Sequence, residues 1–429
     1  MPLPRLLMLV PHEPDLDPRV GWAIGLCREM ARTDVIAATW NSTKPSVEYD
    51  GVVSVERIDY TQYASRRAKA IARVAAQLDR LGPARRFAAR QGRPPARAAG
   101  LARVDHHLGA ALRLFAAWGF YGLLISALYQ RGRAVSMPPT VIVSHDIYGL
   151  MPAVLLKRRF GAKLLHDSHE FFPEADLLAP AWQRRLTRIV ERVFIRRADR
   201  VITVSPQIAR IMEREYGLCE VSTVPNAGPR VDGLPAPPDS PDGPLKFLLQ
   251  GQASAGRGFE QLLTAWEDVA DPRAVLQVRC PDGAYPQELR LRFASLFDSP
   301  LAEWLDAVPE DELVAAASRA DVGVSPYVGP SLNHLYASPN KLSQYMAAGL
   351  AVLACRDMNY VNGVIREYDC GVEYDADDSD SLRRAIDDLA RDPERLHQRR
   401  MNAQVAAALS YNWEVVSGPY REALAALVR

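Results

Sequence analysis

The sequence predicts an α/β protein of two doubly wound domains facing each other across a cleft. Short apolar runs ending in polar residues alternate with stretches of helical period, the alternation stops in a proline-rich segment and restarts after it, and unusual polar residues fall just past the strand-like runs. In the first set, Leu6–Val10, Val141–His145, Lys163–Asp167 and Arg200–Ser205 read as strands, and Trp182–Arg197 and Pro206–Glu215 as helices. The second set starts at Leu245–Gln250 and continues through Val275–Arg279, Val322–Ser325 and Ala351–Ala354. Repeated strand–helix units imply a parallel sheet covered on both faces. Ligands of such sheets sit beyond the carboxyl ends of the strands, so those positions are where chemistry is expected.

Between the two sets, residues 225–244 hold seven prolines. Proline fixes φ and removes a donor, so neither a helix nor a central strand fits there. The expected organisation is a first domain over 1–224, a linker over 225–244 and a second domain over 245–411. The 429 residues are 48% apolar and 24% charged, which excludes a disordered, collagen-like or coiled-coil chain. The net charge of +1 gives no global basic excess for nucleic acid. That balance hides an asymmetry: from Thr61 to Val135 there are fourteen basic residues against two acidic ones, Asp79 and Asp105. The arginines are interleaved with Ala, Leu and Phe, and the segment includes the 16-residue uncharged run Leu114–Tyr129, shorter than the about 20 residues a spanning helix needs, so no transmembrane segment is expected. A basic amphipathic stretch of this kind suits an anionic membrane surface. The alternative is a solvated helical pair that packs Leu112, Phe115, Trp118 and Tyr121 into its own domain. The five cysteines are scattered with no CxxC pair, as expected of a reduced cytoplasmic chain without a disulfide framework or zinc ribbon. The N-terminal run Leu6–Val10 is too short for a signal-peptide core.

The most informative stretch is Ser338–Gly349. Ser338 is a good N-cap, Pro339 suits the first helical position, Leu342, Tyr345 and Met346 form a buried stripe, and Gly349 stops the helix. Lys341 then falls at the third helical position, where a cation opposes the helix dipole. A bound anion would reverse that sign, since free N–H groups and the lysine would converge on it. The alternative is a solvated surface lysine. A second loop, Gly251 to Gly258, follows the strand ending at Gln250 and opens a helix marked by Phe259, Leu262, Leu263 and Trp266. With Arg257 inside it, this loop is a reasonable diphosphate cradle, although it has neither Walker nor GxGxxG spacing. In the first half, Ser144-His145-Asp146 and His166-Asp167-Ser168-His169-Glu170 end strands. Three histidines beside carboxylates could suggest a metal. Adjacent strand residues point to opposite faces, however, so His166 and Asp167 cannot both serve one ion, and no metal site is expected. Core or capping histidines and polar contacts to a substrate are the other readings.

These residues resemble a known family. Ser338-Pro339-Asn340-Lys341 through Gln344 to Gly349 resembles the donor-site motif of the retaining GT-B-fold glycosyltransferases of family 4 (glycosyl transferases group 1). In the same chain order, His166-Asp167-Ser168-His169-Glu170, Ala198–Ser205, Val224-Pro225-Asn226, Leu249–Gly258 and Ala320–Pro326 resemble further segments of that family. The resemblance implies two Rossmann-like domains and transfer of a sugar from a nucleotide-diphosphate donor with retention at the anomeric carbon. No metal or other cofactor is implied, and no side-chain nucleophile, because the leaving phosphate takes the acceptor proton. His145, Arg257 and Lys341 are the implied catalytic residues, the last two stabilising charge on the departing phosphate. Gly251, Gln252, Gly256, Gly258, Ser338, Asn340 and Gln344 are the implied donor contacts. Asp17, Arg19, His169 and Glu170 are the implied contacts to a glycan, lipid-linked or small-molecule acceptor. Gly329 to Ser331 would supply backbone N–H groups to the sugar. A last helix, capped by Asn412 and running from Trp413 to Val428, is expected to pack back on the first domain.

The chain departs from the family pattern where Gln344 replaces a glutamate that accepts from ribose hydroxyls, where Tyr336 replaces another, and where Gln252 replaces an arginine. Gln344 can still accept a hydrogen bond but carries no charge. The alternatives are a catalytically impaired relative acting as a binding protein, or a nucleotide-sugar epimerase. The epimerase would need more carboxylates and histidines than these motifs supply. The expected location is cytoplasmic, peripheral on a membrane through residues 61–135.

Overall fold

The computed structural model describes residues 4–39, 44–63, 121–175, 180–329 and 331–428. Most of the basic segment between 61 and 135 therefore lies outside the described residues. By contacts the chain divides into two units. The first is Met1–Asp167 with Arg197–Asp199 and Ala425–Arg429; the second is Ser168–Arg196 with Arg200–Leu424.

The first unit contains β1 (Arg5–Val10), β2 (Arg32–Thr39), β3 (Val47–Tyr49), β4 (Val53–Asp59), β5 (Val141–His145) and β6 (Lys163–Ser168, whose last residue falls in the second unit). Their order is β3-β4-β2-β1-β5-β6. All neighbours are parallel except β3, which runs antiparallel to β4. Strand β1 is central, and Leu6 to Val10 are buried without alternation, as expected of a strand covered on both faces. Helix α1 (Pro18–Met30) starts where Asp17 accepts from the Arg19 N–H and Pro18 takes the first position. Helix α2 (Asp146–Phe160) ends on Gly161, whose φ of 67° is left-handed.

The second unit contains α3 (Ala181–Ile195), β7 (Arg200–Thr203), α4 (Pro206–Tyr216) and β8 (Ser222–Thr223), with β8 parallel to β7. Its six-stranded sheet is built from β9 (Leu245–Gln250), β10 (Ala274–Arg279), β11 (Ala302–Leu305), β12 (Val322–Ser325), β13 (Ala351–Cys355) and β14 (Gly371–Tyr374). The order is β11-β10-β9-β12-β13-β14, and every pairing is parallel. The longer helices are α5 (Phe259–Val269), α6 (Ala284–Arg292), α7 (Asn340–Ala347), α8 (Asn359–Glu367), α9 (Ser379–Arg391), α10 (Pro393–Leu409) and α11 (Gly418–Val428). Phe247, Phe259, Trp266, Leu342, Tyr345 and Met346 are among the buried core. Tyr345 packs so tightly on Gly323 that a Cβ there would lie 2.2 Å from its ring.

Several expectations needed correction. The strand expected over Arg200–Ser205 stops at Thr203, because Ser205 caps α4 by accepting from the Ile208 N–H. Helix α7 starts at Asn340, one residue later than expected, and Lys341 sits at its second position. Ser338 does not cap it; its Oγ accepts from the Asn226 N–H and its carbonyl from Asn226 Nδ2. Asn412 does cap, accepting from the Val415 N–H, but the helix breaks after Val416 and resumes as α11 at Gly418.

The proline-rich segment forms neither helix nor strand, yet it is fastened along its length. The Gly228 N–H donates to Ser343 Oγ, and the Gly228 carbonyl accepts from the Trp413 N–H. Further on, Gln404 donates to the Pro235 carbonyl, and Pro237 lies against Gly349.

Candidate active site

In the first unit, the ends of β5 and β6 meet the start of α1. His166 and Asp167 point to opposite faces, as the strand period requires, and His166 Nδ1 bonds Ser144 Oγ at 3.0 Å. Asp167 is fully buried and receives Arg19 in a bidentate pair, with Nε 3.0 Å from Oδ2 and Nη2 2.8 Å from Oδ1. His145 is also fully buried, with its Nδ1 3.7 Å from Asp167 Oδ2. Directly after it, Asp146 has a φ of 52°, a left-handed conformation costly for a residue with a Cβ. That turn carries His145 to the strand end. Arg19 is only 1% exposed and bound to Asp167, so its guanidinium holds that carboxylate rather than facing an acceptor. Asp17 caps α1 and lies 3.7 Å from His12 Nε2.

In the second unit, the loop between β9 and α5 returns against the end of β12. Gly258 has a φ of 80°, and a Cβ on it would sit 1.7 Å from the Pro326 carbonyl oxygen. Only glycine permits that approach. Gly251 and Gly256 also have positive φ, and the space above Gly251 is crossed by the Lys341 side chain, 3.9 Å from an ideal Cβ. Lys341 is 7% exposed, which excludes a solvated surface lysine. Its Nζ lies 4.9 Å from the Tyr327 ring centre and 5.8 Å from that of Phe259, and the Tyr327 side chain favours its charged form. Arg257 lies over the same tyrosine at 5.5 Å. Neither cation has a carboxylate partner among the described residues. Burial pushes the Lys341 pKa down, while Lys341 and Arg257 together hold the Tyr327 phenol below its ordinary value despite its burial. Aromatic faces offset part of the cost of buried cations. An anion at the starts of α5 and α7 would offset the rest and meet free backbone N–H groups.

Asn340 Oδ1, in the first turn of α7, is shielded and has no partner among the described residues. Gln252 is exposed. The Gly329 N–H donates to Asp357 Oδ2, so it is spent inside the protein rather than offered to a sugar. In the same unit, the Phe171 N–H donates to Asn333 Oδ1 at 3.0 Å and the Leu332 N–H to Glu174 Oε2 at 2.9 Å. These bonds bring the segment with His169 and Glu170 to the loop after β12, and the Glu170 charge acts on Tyr327.

Three residues at this site were missed in the sequence: Tyr327, Gln250 and Arg279. Arg279 is 8% exposed and has no carboxylate partner among the described residues; burial, with Arg319 nearby, lowers its pKa. Its Nη1 donates to Gln250 Oε1 at 3.3 Å, and Gln250 Nε2 donates to Gln344 Oε1 at 3.0 Å. A guanidinium only donates, so it fixes the orientation of both amides. Gln250 takes one of the two acceptor positions of the Gln344 oxygen, which leaves Gln344 one acceptor position and its NH2 group for a ligand.

Two family models match the chain in tandem. Residues 67–227 match a glycosyl transferase 4-like domain and residues 234–406 match the glycosyl transferases group 1. The chain belongs to the group 1 glycosyltransferases. Solved structures agree on a GT-B fold for this glycosyltransferase. Sucrose-phosphate synthase from Thermosynechococcus elongatus is 18% identical with a TM-score of 0.65, over 99% of this chain and 100% of that one. A trehalose-6-phosphate structure from E. coli, bound with UDP-2-fluoro glucose, is 12% identical at 0.65, over 99% of each chain. Anabaena HepE in complex with UDP is 12% identical at 0.63, over 99% of this chain and 100% of that one. No curated protein matches the chain.

Proposed function

We propose that this glycosyltransferase moves a sugar from a nucleotide-diphosphate sugar to a glycan, lipid-linked or small-molecule acceptor, with retention and without a metal. One observation carries the reading: Lys341 and Arg257 converge on Tyr327 with no carboxylate partner among the described residues. Negative charge grows on the departing diphosphate, and fixed cations at two helix starts stabilise it without reorganising. Solved neighbours bound to UDP or UDP-2-fluoro glucose favour a donor of that class. On this reading Gly251, Gln252, Gly256, Gly258, Asn340 and Gln344 line the donor, with Ser338 supporting α7 from behind. His145 contacts the donor sugar, and Asp17, His169 and Glu170 take the acceptor. Residues 1–224 serve the acceptor, 245–411 the donor, and 225–244 join them. No described helix is long and apolar enough to cross a membrane; a peripheral place on the cytoplasmic face suits a lipid-linked acceptor.

The test is calorimetry with UDP-, GDP- and dTDP-sugars, followed by an assay for released nucleotide diphosphate. Binding to none of them overturns the reading. The orientation of Gln344 favours one second reading, a relative that binds the donor but does not turn it over. Donor binding with no release of nucleotide diphosphate in the presence of any acceptor would select it.

A further inference from the structure

Helix α3 presents three large apolar residues to solvent. Trp182, Ile189 and Val193 are 46%, 60% and 54% exposed. At 100° per residue they fall within about 40° of one another, a single stripe along a helix about 22 Å long. The opposite side of the helix is satisfied inward: Glu191 and Ile195 are fully buried, Glu191 accepts from the Tyr216 hydroxyl, and Arg188 pairs with Glu174 and Glu215. The stripe is therefore not the helix's packing face. Arg185, Arg192 and Arg196 are exposed along one flank of it, and none has an ion-pair partner among the described residues. The only acid within α3 is the buried Glu191.

We propose that this face docks the protein on an anionic lipid bilayer. Trp, Ile and Val on a solvent-facing stripe suit the boundary between headgroups and acyl chains. Arginines beside them keep their charge at the headgroups while their stems lie along apolar surface. A nucleic acid would match the arginines but leave the apolar stripe in water. The surface is built from other residues than 61–135, and the proposal stands whether or not the chain transfers a sugar.

The test uses the full chain without donor or acceptor, sedimented with vesicles of phosphatidylcholine alone or mixed with phosphatidylglycerol. Binding to the mixed vesicles only, weakened by salt, is expected. The double variant Ile189→Asp/Val193→Asp should lose about tenfold or more in affinity, with an unchanged thermal unfolding curve because both residues are exposed. Arg185→Gln/Arg192→Gln/Arg196→Gln should weaken binding and flatten its salt dependence. Absence of binding by the natural chain overturns the proposal, as does binding that both variants retain. A dimer seen by light scattering and broken by Ile189→Asp would assign the face to a second copy instead, and also overturns it.

Discussion

In the first unit, the buried guanidinium of Arg19 meets the buried carboxylate of Asp167 in a bidentate pair. In the second, Lys341 and Arg279 are almost as deeply buried and meet no carboxylate among the described residues. The second unit does neutralise a cation where it is structural: Arg400, 2% exposed, bonds Asp321 and the carbonyls of Gly349 and Ala320. An unpaired buried charge is costly, and the cost falls when a ligand brings the opposite charge. The contrast separates residues that complete the fold from residues whose complement arrives with a substrate.

The sharpest way to break this comparison is to remove one cation of each kind. Arg19→Met strands Asp167 in the interior and should cost about 3–5 kcal/mol, read from denaturant unfolding. Lys341→Met should leave stability unchanged or raised, while calorimetry shows donor affinity down about a hundredfold, the scale of a lost charge-assisted contact. If Lys341→Met destabilised as much as Arg19→Met, the lysine would be structural. Arg257→Gln, whose side chain is less enclosed, should lower donor affinity about tenfold.

The depressed Lys341 pKa adds a pH signature. The free protein releases this proton below the ordinary lysine value, and a diphosphate favours the charged form. Donor affinity should therefore fall as pH rises through the depressed pKa, and binding at a pH between the depressed and the ordinary lysine value should take up a proton. Calorimetry in buffers of different ionisation enthalpy reads that uptake, and Lys341→Met should abolish it. Stability has the opposite slope: the unfolded chain binds more protons in that window, so the lysine's contribution to stability rises with pH. The smallest effect belongs to the amide relay. Gln344→Glu restores an acceptor beside Gln250 and should tighten nucleotide binding by about fivefold; unchanged affinity would show that Gln344 does not reach the nucleotide.

Much of this was legible in sequence because it is local. The strands Val141–His145, Leu245–Gln250 and Val322–Ser325 have the expected bounds, since apolar runs and their polar ends mark them. β2 was not, as it opens on Arg-Thr-Asp, and neither was β14, which opens on glycine. Lys341 and Arg257 stood out through their helix-start positions. The relay did not, because Arg279 faces Gln250 only through the β9–β10 register, and Gln344 joins from a helix far along the chain. Ser338 reads as a cap from its neighbours alone; the competing amide, Asn226, is 112 positions away.

The fastening of the proline-rich segment also makes it a gauge. The Asn226 and Gly228 amides end on Ser338 and Ser343, one just before α7 and one within it. Their hydrogen-exchange rates therefore report the rigidity of the helix that carries Lys341, and a ligand that settles that helix would slow both amides without touching either.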